Sequence, residues 1–300
     1  MRPERVFPKP SSHVIIIDIL LQAEAVLRAS SVSETPRLDA EVMLADVLGI
    51  DRSRLIASYS DWIDTSAAGQ FQRRVERRAR GEPVSYITGK REFMGLSFRV
   101  DGRVLIPRAE TETLVEYVLH AHRESGIRQV LDVGTGSGCI AVSLAVYLAD
   151  AVVYATDVSA VALEVARKNA DIHRVERKIQ FYQGFLFDGL PQELKGTFDV
   201  IVSNPPYIPD YEYPLLQKNV REFEPPEALR GGPDGLDCFR KLAGECPDWL
   251  AKDGMLAVEL GEGQMQKASA LLAEKERIEV VDIVRDLAGK QRVIVGRRKA

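Results

Sequence analysis

The stretch Leu131-Asp132-Val133-Gly134-Thr135-Gly136-Ser137-Gly138 decides the fold. It ends the first of the strands expected in an alternating strand–helix pattern, Gln129–Val133. The glycines that follow permit a tight turn and let a ligand approach the backbone, beside the start of a helix expected over Cys139–Leu148. A dinucleotide site asks for G-x-G-x-x-G, whereas the spacing here is G-x-G-x-G. Asp132 stands two residues before the first glycine, where a carboxylate suits a cationic ligand group better than a pyrophosphate. Asp157 ends the next strand, where an acid can accept both hydroxyls of a ribose. It can also cap the helix expected from Val161, a role for which Ser159 competes.

Outward from this turn, strand and helix alternate, the signature of a parallel sheet with crossovers. Strands are expected at Gln129–Val133, Val152–Thr156, Lys178–Tyr182, Val200–Ser203, Met255–Leu260, Ile278–Val284 and Arg292–Gly296. Helices are expected at Val161–Asn169 and Gln264–Glu274, and another begins over Glu110–His120. The fourth strand runs into Asn204-Pro205-Pro206-Tyr207. Prolines cannot donate to a ladder, so the strand stops there, and Asn204 is pushed toward extended geometry by the proline after it. A rigid turn then holds an amide, free carbonyls and an aromatic ring at a strand's carboxyl end, where open α/β sheets bind ligands.

The N-terminal part reads differently. Helices are expected over Ile15–Arg28, from Pro36 to Gly49, and over Thr65–Arg80. The third carries Arg73, Arg74, Arg77, Arg78 and Arg80 opposite its apolar face, which reads as a solvated basic face or as a dock for an RNA or an acidic protein surface. Residues 84–106 alternate at period two, with Asp101-Gly102 as a turn signal, and predict a β-hairpin linker. The domains expected are therefore 1–82 (helical, with a loose leader), 83–107 (linker) and 108–300.

Composition is that of an ordinary globular protein, with 45% apolar and 28% charged residues. A net charge of −4 supplies no global field for nucleic acid. The three cysteines lack metal-ligand spacing, and no bound metal is expected; Cys139 reads as a small packing residue at a helix start. Arg2, Arg5 and Lys9 precede an apolar run, and Ala23-Glu24-Ala25 imitates a signal-peptidase site. Asp18 interrupts that run, so it reads as an amphipathic helix, and cytoplasm is the expected compartment.

A ligand with a sulfonium, an amino-acid tail, a ribose and an adenine, but no phosphate, satisfies the turn and both acids. That ligand is S-adenosylmethionine, and residues 108–300 resemble the class I methyltransferase fold. The resemblance implies a Rossmann-like, seven-stranded, mostly parallel sheet whose last strand is antiparallel. The Asn-Pro-Pro-Tyr element in such a fold resembles enzymes that methylate nitrogens conjugated to a π system, in base amines or glutamine amides.

Further motifs narrow the match. Gly81-Glu82-Pro83, Tyr86-Ile87-Thr88-Gly89, Phe93, Leu105 to Glu112, Asp132 to Gly138, Ser203 to Tyr207, Phe223-Glu224-Pro225, Ala228-Leu229, Gly232 and Asp234-Gly235-Leu236 resemble the release-factor glutamine methyltransferases, the HemK/PrmC family. The resemblance implies methylation of the amide nitrogen (N5) of the glutamine in the Gly-Gly-Gln motif of peptide chain release factors, which the helical domain helps to dock. It implies catalytic roles for Asn204, Pro205 and Tyr207, and cofactor contacts from Asp132, Gly134, Thr135, Gly136, Ser137, Gly138, Asp157, Phe185, Leu186 and Asn204. Substrate contacts are expected from Asn204, Pro205, Pro206, Tyr207, Phe93, Arg108 and Glu110. Where the family often has an acid after the third strand, this chain has Gly184-Phe185-Leu186-Phe187; Ala109 replaces a usual Pro and Phe223 a common Tyr. The alternatives are a nucleic-acid amino methyltransferase, such as an N6-adenine enzyme using the same clamp, and a non-enzymatic binding module. A monomer is expected, with no stable nucleic acid and no membrane as partner.

Overall fold

The computed structural model describes residues 13–274 and 276–299, and the chain divides into two compact units. The first holds the residues up to Gly89 together with 217–223; the second holds 90–216 and 224–300. The expected leader through Pro10 lies outside the described residues.

In the first unit a two-stranded antiparallel ribbon, β1 (His13–Ile15) with β2 (Trp62–Asp64), accompanies, besides the four-residue helix Lys218–Arg221, five helices. These are α1 (Ile16–Ser30), α2 (Pro36–Leu48), α3 (Arg52–Ala57), α4 (Thr65–Ala79) and α5 (Val84–Thr88). Pro36 opens α2 with a preset φ, and the Asp64 carboxylate caps α4 by accepting from the Ala67 amide at 2.8 Å. Leu20, Leu27, Met43, Leu44, Phe71 and Val75 are all fully buried and form the core.

Two expectations are corrected here. The stretch Val84–Thr88 is a helix rather than part of a hairpin. The Tyr86 and Ile87 amides donate to the Pro83 carbonyl, and both side chains are buried, which adjacent strand residues could not share on one face. The arginine face of α4 is not simply solvated. Arg78 is 6% exposed and donates from Nε to Asp39 at 2.7 Å, Arg74 pairs with Asp46, and Arg77 with Glu82. Arg73 and Arg80 are the exposed ones.

The second unit opens with a hairpin, β3 (Lys90–Phe93) and β4 (Leu96–Arg99). Its turn is Met94-Gly95, with φ of 52° and 68°, the doubly positive geometry that matches strand twist. Asp101-Gly102, expected as the hairpin turn, instead forms a later turn in which Val104 N donates to Asp101 O.

After α6 (Glu112–Ser125) come β5 (Gln129–Val133), α7 (Cys139–Tyr147), β6 (Val152–Asp157), α8 (Ala160–Ile172), β7 (Ile179–Gln183) and β8 (Phe198–Ser203). The chain closes with α9 (Asp237–Trp249), β9 (Leu250–Glu259), α10 (Met265–Glu274), β10 (Ile278–Arg285) and β11 (Gln291–Arg298). The sheet order is β10-β11-β9-β8-β5-β6-β7, with β11 alone antiparallel to its neighbours, as the resemblance implied. Helix α9 escaped the sequence reading; Gly244 and Pro247 interrupt its pattern.

Both faces of the sheet are covered. Val130, Val142 and Val200 belong to one buried cluster, and Leu131, Ile201, Phe239 and Leu256 to the other. This is why apolar residues stand side by side at Val130-Leu131 in β5 and over Val200–Val202 in β8 instead of alternating with polar ones. Strand order reverses at β5: the chain moves from β5 to β6 and β7 on one side, then returns to β8 on the other. A switch point of this kind leaves a crevice above the carboxyl ends of the two central strands.

Candidate active site

Register brings the two motifs together. Val133 lies opposite Ser203, and the Ser203 hydroxyl donates to the Val133 carbonyl at 2.7 Å, so the glycine turn and Asn204 leave the sheet side by side. A cavity of about 650 Å³, ordinary for a small-molecule site, opens above them. Gly134, Thr135, Gly136, Ser137, Asp157, Phe185, Leu186, Asn204, Pro205, Pro206 and Arg108 all line it. Among the described residues no group of His, Cys, Asp and Glu could hold a metal ion, and no helix is long and apolar enough to cross a membrane.

Asp132 sits beneath the turn, outside the lining. Its Oδ2 accepts from the Thr135 hydroxyl at 2.7 Å and the Ala141 amide at 3.1 Å, tying the turn to the start of α7. Its Oδ1 is buried without a hydrogen-bond partner, and burial pushes the carboxyl up to about 7. Asp157 accepts from Gly136 N at 2.8 Å and Ser159 N at 2.9 Å, and burial raises it too. Ser159 is the side chain that caps α8, accepting from Ala162 N, which frees Asp157 for the cavity edge.

Gly138 has a φ of 80°, and a Cβ there would lie 3.0 Å from the Ala166 Cβ, so the turn packs directly on α8. Cys139 lines the cavity, but burial pushes its thiol up to about 12, which keeps it protonated and inert. Phe185 is partly exposed at the cavity wall, with the Lys241 ammonium 4.8 Å from its ring centre.

The Asn204–Tyr207 turn is held from outside. Tyr207 is partly buried and packs against the core rather than lining the cavity, and burial pushes its hydroxyl up to about 12. Its carbonyl accepts from Gln264 Nε2 at 2.9 Å, while Gln264 Oε1 takes the Gly261 amide. Ile208 N donates to Leu229 O, and Gly231 N to Ile208 O. A Cβ on Gly235 would meet the Tyr207 carbonyl at 2.2 Å, so this second glycine-rich segment must lack side chains to brace the turn.

Besides Tyr207, two residues expected to touch substrate lie outside the cavity lining, and a third lines it while already paired. Phe93 is 1% exposed, edge-on to Phe98 in the core, and does not reach the cavity. Glu110 is half-buried and outside the lining. Arg108 lines the cavity, yet its guanidinium bonds the buried Glu224 at 2.6 Å, which also accepts from Ile106 N. Sequence reasoning missed Thr111 and Gln264, which touch the Asn204–Tyr207 turn from distant elements and carry no local signature.

Comparison with known proteins agrees with this architecture. Residues 18–89 match the family described as PrmC N-terminal domain, and residues 110–220 the methyltransferase small domain. The chain is 42% identical over 278 residues to the release factor glutamine methyltransferase of Moorella thermoacetica, covering 92% of this chain and 96% of that one. The protein of the same name from Nitratidesulfovibrio vulgaris is 38% identical over 292 residues, covering 97% and 98%. A methyltransferase crystal structure from Pyrococcus furiosus superimposes with a TM-score of 0.51 at 20% identity, covering 76% of this chain and 98% of that one, a likeness of fold. With a doubly wound sheet whose glycine turn and Asn204–Pro206 turn line one cavity, and with identity sustained over nearly the whole length of these relatives, the chain belongs to the release factor glutamine methyltransferase family.

Proposed function

We propose that this protein transfers a methyl group from S-adenosylmethionine to the side-chain amide nitrogen (N5) of the glutamine in the Gly-Gly-Gln motif of peptide chain release factors. One observation carries the reading: the Asn204–Pro206 turn and the glycine turn line the same cavity, with Asn204 Nδ2 tied back to Thr111 at 3.1 Å. The lining fits the cofactor. The ionised Asp132 carboxyl would set negative charge beneath the turn, Asp157 at the cavity edge would accept the ribose hydroxyls, and Phe185 would offer a ring face in place of the usual acid. When bound, the cofactor supplies an electrophilic methyl on a sulfonium.

An amide nitrogen is a poor nucleophile because its lone pair is delocalised into the carbonyl. Asn204 Oδ1 and the Pro205 carbonyl accept its two N–H bonds and turn the lone pair toward the methyl. The prolines fix that carbonyl, and Tyr207, packed against the core, stiffens the turn. Positioning of this kind lowers barriers by on the order of 7–11 kcal/mol. The methylated nitrogen is acidic enough to release its proton to water, so no side-chain base is required. On this reading the enzyme works in the cytoplasm as a monomer, and the helical unit docks the release factor.

The test is mass spectrometry of the Gly-Gly-Gln peptide after incubation of release factor with enzyme and cofactor. One added methyl on that glutamine is expected. Asn204→Ala is expected to lower the rate by about 100- to 1000-fold, the scale of losing one aimed polar contact. An unmodified peptide from the parent enzyme sinks the proposal.

A further inference from the structure

One face of α8 carries Ala162, Ala166, Asn169 and, just past its end, His173, at the three- and four-residue spacing that lines up side chains on a helix. Ala162 lines the cavity, a Cβ on Gly138 would lie 3.0 Å from the Ala166 Cβ, and His173 Nε2 lies 2.9 Å from the Ser97 carbonyl of β4. Asn169 stands between them, fully buried. Its Nδ2 donates to the Ser137 carbonyl at 2.8 Å and to the Arg99 carbonyl at 3.0 Å, and its Oδ1 accepts from the Arg99 amide at 2.7 Å. Ser137 belongs to the glycine turn, and Arg99 ends the hairpin strand β4. We infer that Asn169 is a positioning residue for the cofactor, which fixes the glycine turn in its binding shape and ties it to the hairpin; the inference rests on the cofactor reading above and names a group behind that site.

The other bonds of the turn show why one carbonyl matters. The Gly134 and Thr135 amides both donate to the Thr156 carbonyl, the Gly136 amide to Asp157, and the Gly138 amide to the Thr135 carbonyl. The Ser137 carbonyl, the last before Gly138 and α7, is taken by Asn169. Ser137 is 3% exposed, so water hardly competes for that bond. A buried carbonyl stripped of its donor is expensive to leave unpaired. Without Asn169 the Ser137–Gly138 peptide recovers a partner only by rotating, and Gly138, at a φ of 80° with no side chain, is the hinge that permits it. Such a rotation carries Ser137, a cavity-lining residue, out of the shape that the cofactor meets.

The residue type fits the task. An amide side chain offers two N–H donors on one atom, which serve the two carbonyls, and an oxygen that takes the Arg99 N–H. A carboxylate has no donor, and a leucine has neither donor nor acceptor. Because the Arg99 backbone meets both ends of the amide, the two ends cannot exchange without setting donor against donor and acceptor against acceptor. The hairpin therefore fixes which way Asn169 faces, and Asn169 so fixed aims its second N–H at Ser137.

Full-length protein is titrated with S-adenosylmethionine by calorimetry, and its stability without cofactor is read by urea unfolding. Asn169→Leu, close in size but without the three bonds, should raise the cofactor Kd by roughly 10- to 100-fold, the scale of one buried carbonyl left unpaired. Asn169→Asp keeps the acceptor for Arg99 but cannot serve both carbonyls, and it should raise Kd by about 10-fold or more. His173→Ala is the control: it removes the Ser97 and Phe98 contacts from the same helix face, so it should lower stability while Kd stays within about threefold of the parent. Either Asn169 variant, folded and binding within about threefold of the parent, overturns the inference. A Kd raised as far by His173→Ala, or failure of both Asn169 variants to fold, overturns it too, because each leaves Asn169 with a scaffold role alone. A parent protein that binds no S-adenosylmethionine overturns the proposed function instead, so the two failures are distinct.

Discussion

Asp132→Asn isolates the charge stored under the glycine turn. The carboxyl is fully buried, with one oxygen bonded to Thr135 and Ala141 and the other without a partner. Burial raises it from an ordinary 3.8 to about 7, so the folded protein holds this proton more tightly than the unfolded chain. Its contribution to stability is complete below the ordinary value and is lost as pH rises through about 7. At 1.36 kcal/mol per pH unit, the ligand-free parent loses about 3 kcal/mol between pH 5 and 8 through this one group. Glu259 titrates in the same range, but it does so equally in both proteins and cancels from the difference. Urea unfolding without cofactor, at unit steps across that range, reads the effect. The stability of Asp132→Asn relative to the parent should climb by about 3 kcal/mol from pH 5 to 8. A difference that stays flat refutes the partnerless carboxylate as a strained, charged group, and with it the electrostatic reason for placing a cation above the turn.

Two further substitutions test the scaffold by the same unfolding measurement. Gly138→Ala places a side chain at a φ of 80° and a Cβ 3.0 Å from that of Ala166. Left-handed strain and overpacking together should cost about 2–4 kcal/mol, and a loss under about 1 kcal/mol contradicts the close packing of the turn on α8. Arg108→Ala strips the buried Glu224 of its cation and leaves it the Ile106 amide. It should destabilise by about 3 kcal/mol; unchanged stability assigns Arg108 to substrate contact alone.

The strand β5, the glycine turn and the Asn-Pro-Pro-Tyr element were legible in the sequence because each is local chemistry. A branched apolar run, a glycine spacing and a proline pair declare themselves within a few residues, and the strand alternation that follows fixes the parallel sheet. The short helix Val84–Thr88 was not legible, since five residues with β-branched members satisfy both periodicities and only the Pro83 cap decides between them. Nor was the fate of Phe93, an aromatic inside a recognisable motif that the fold spends on its core. Local pattern supplied the parts of the clamp and of the glycine turn. Tertiary structure alone decided their registration, through the pairing of Val133 with Ser203, and the hidden bond from Asn204 to Thr111. A hydrogen bond between residues about ninety positions apart leaves no periodicity in the sequence; it exists only because the sheet brings two strand ends and a turn to one point.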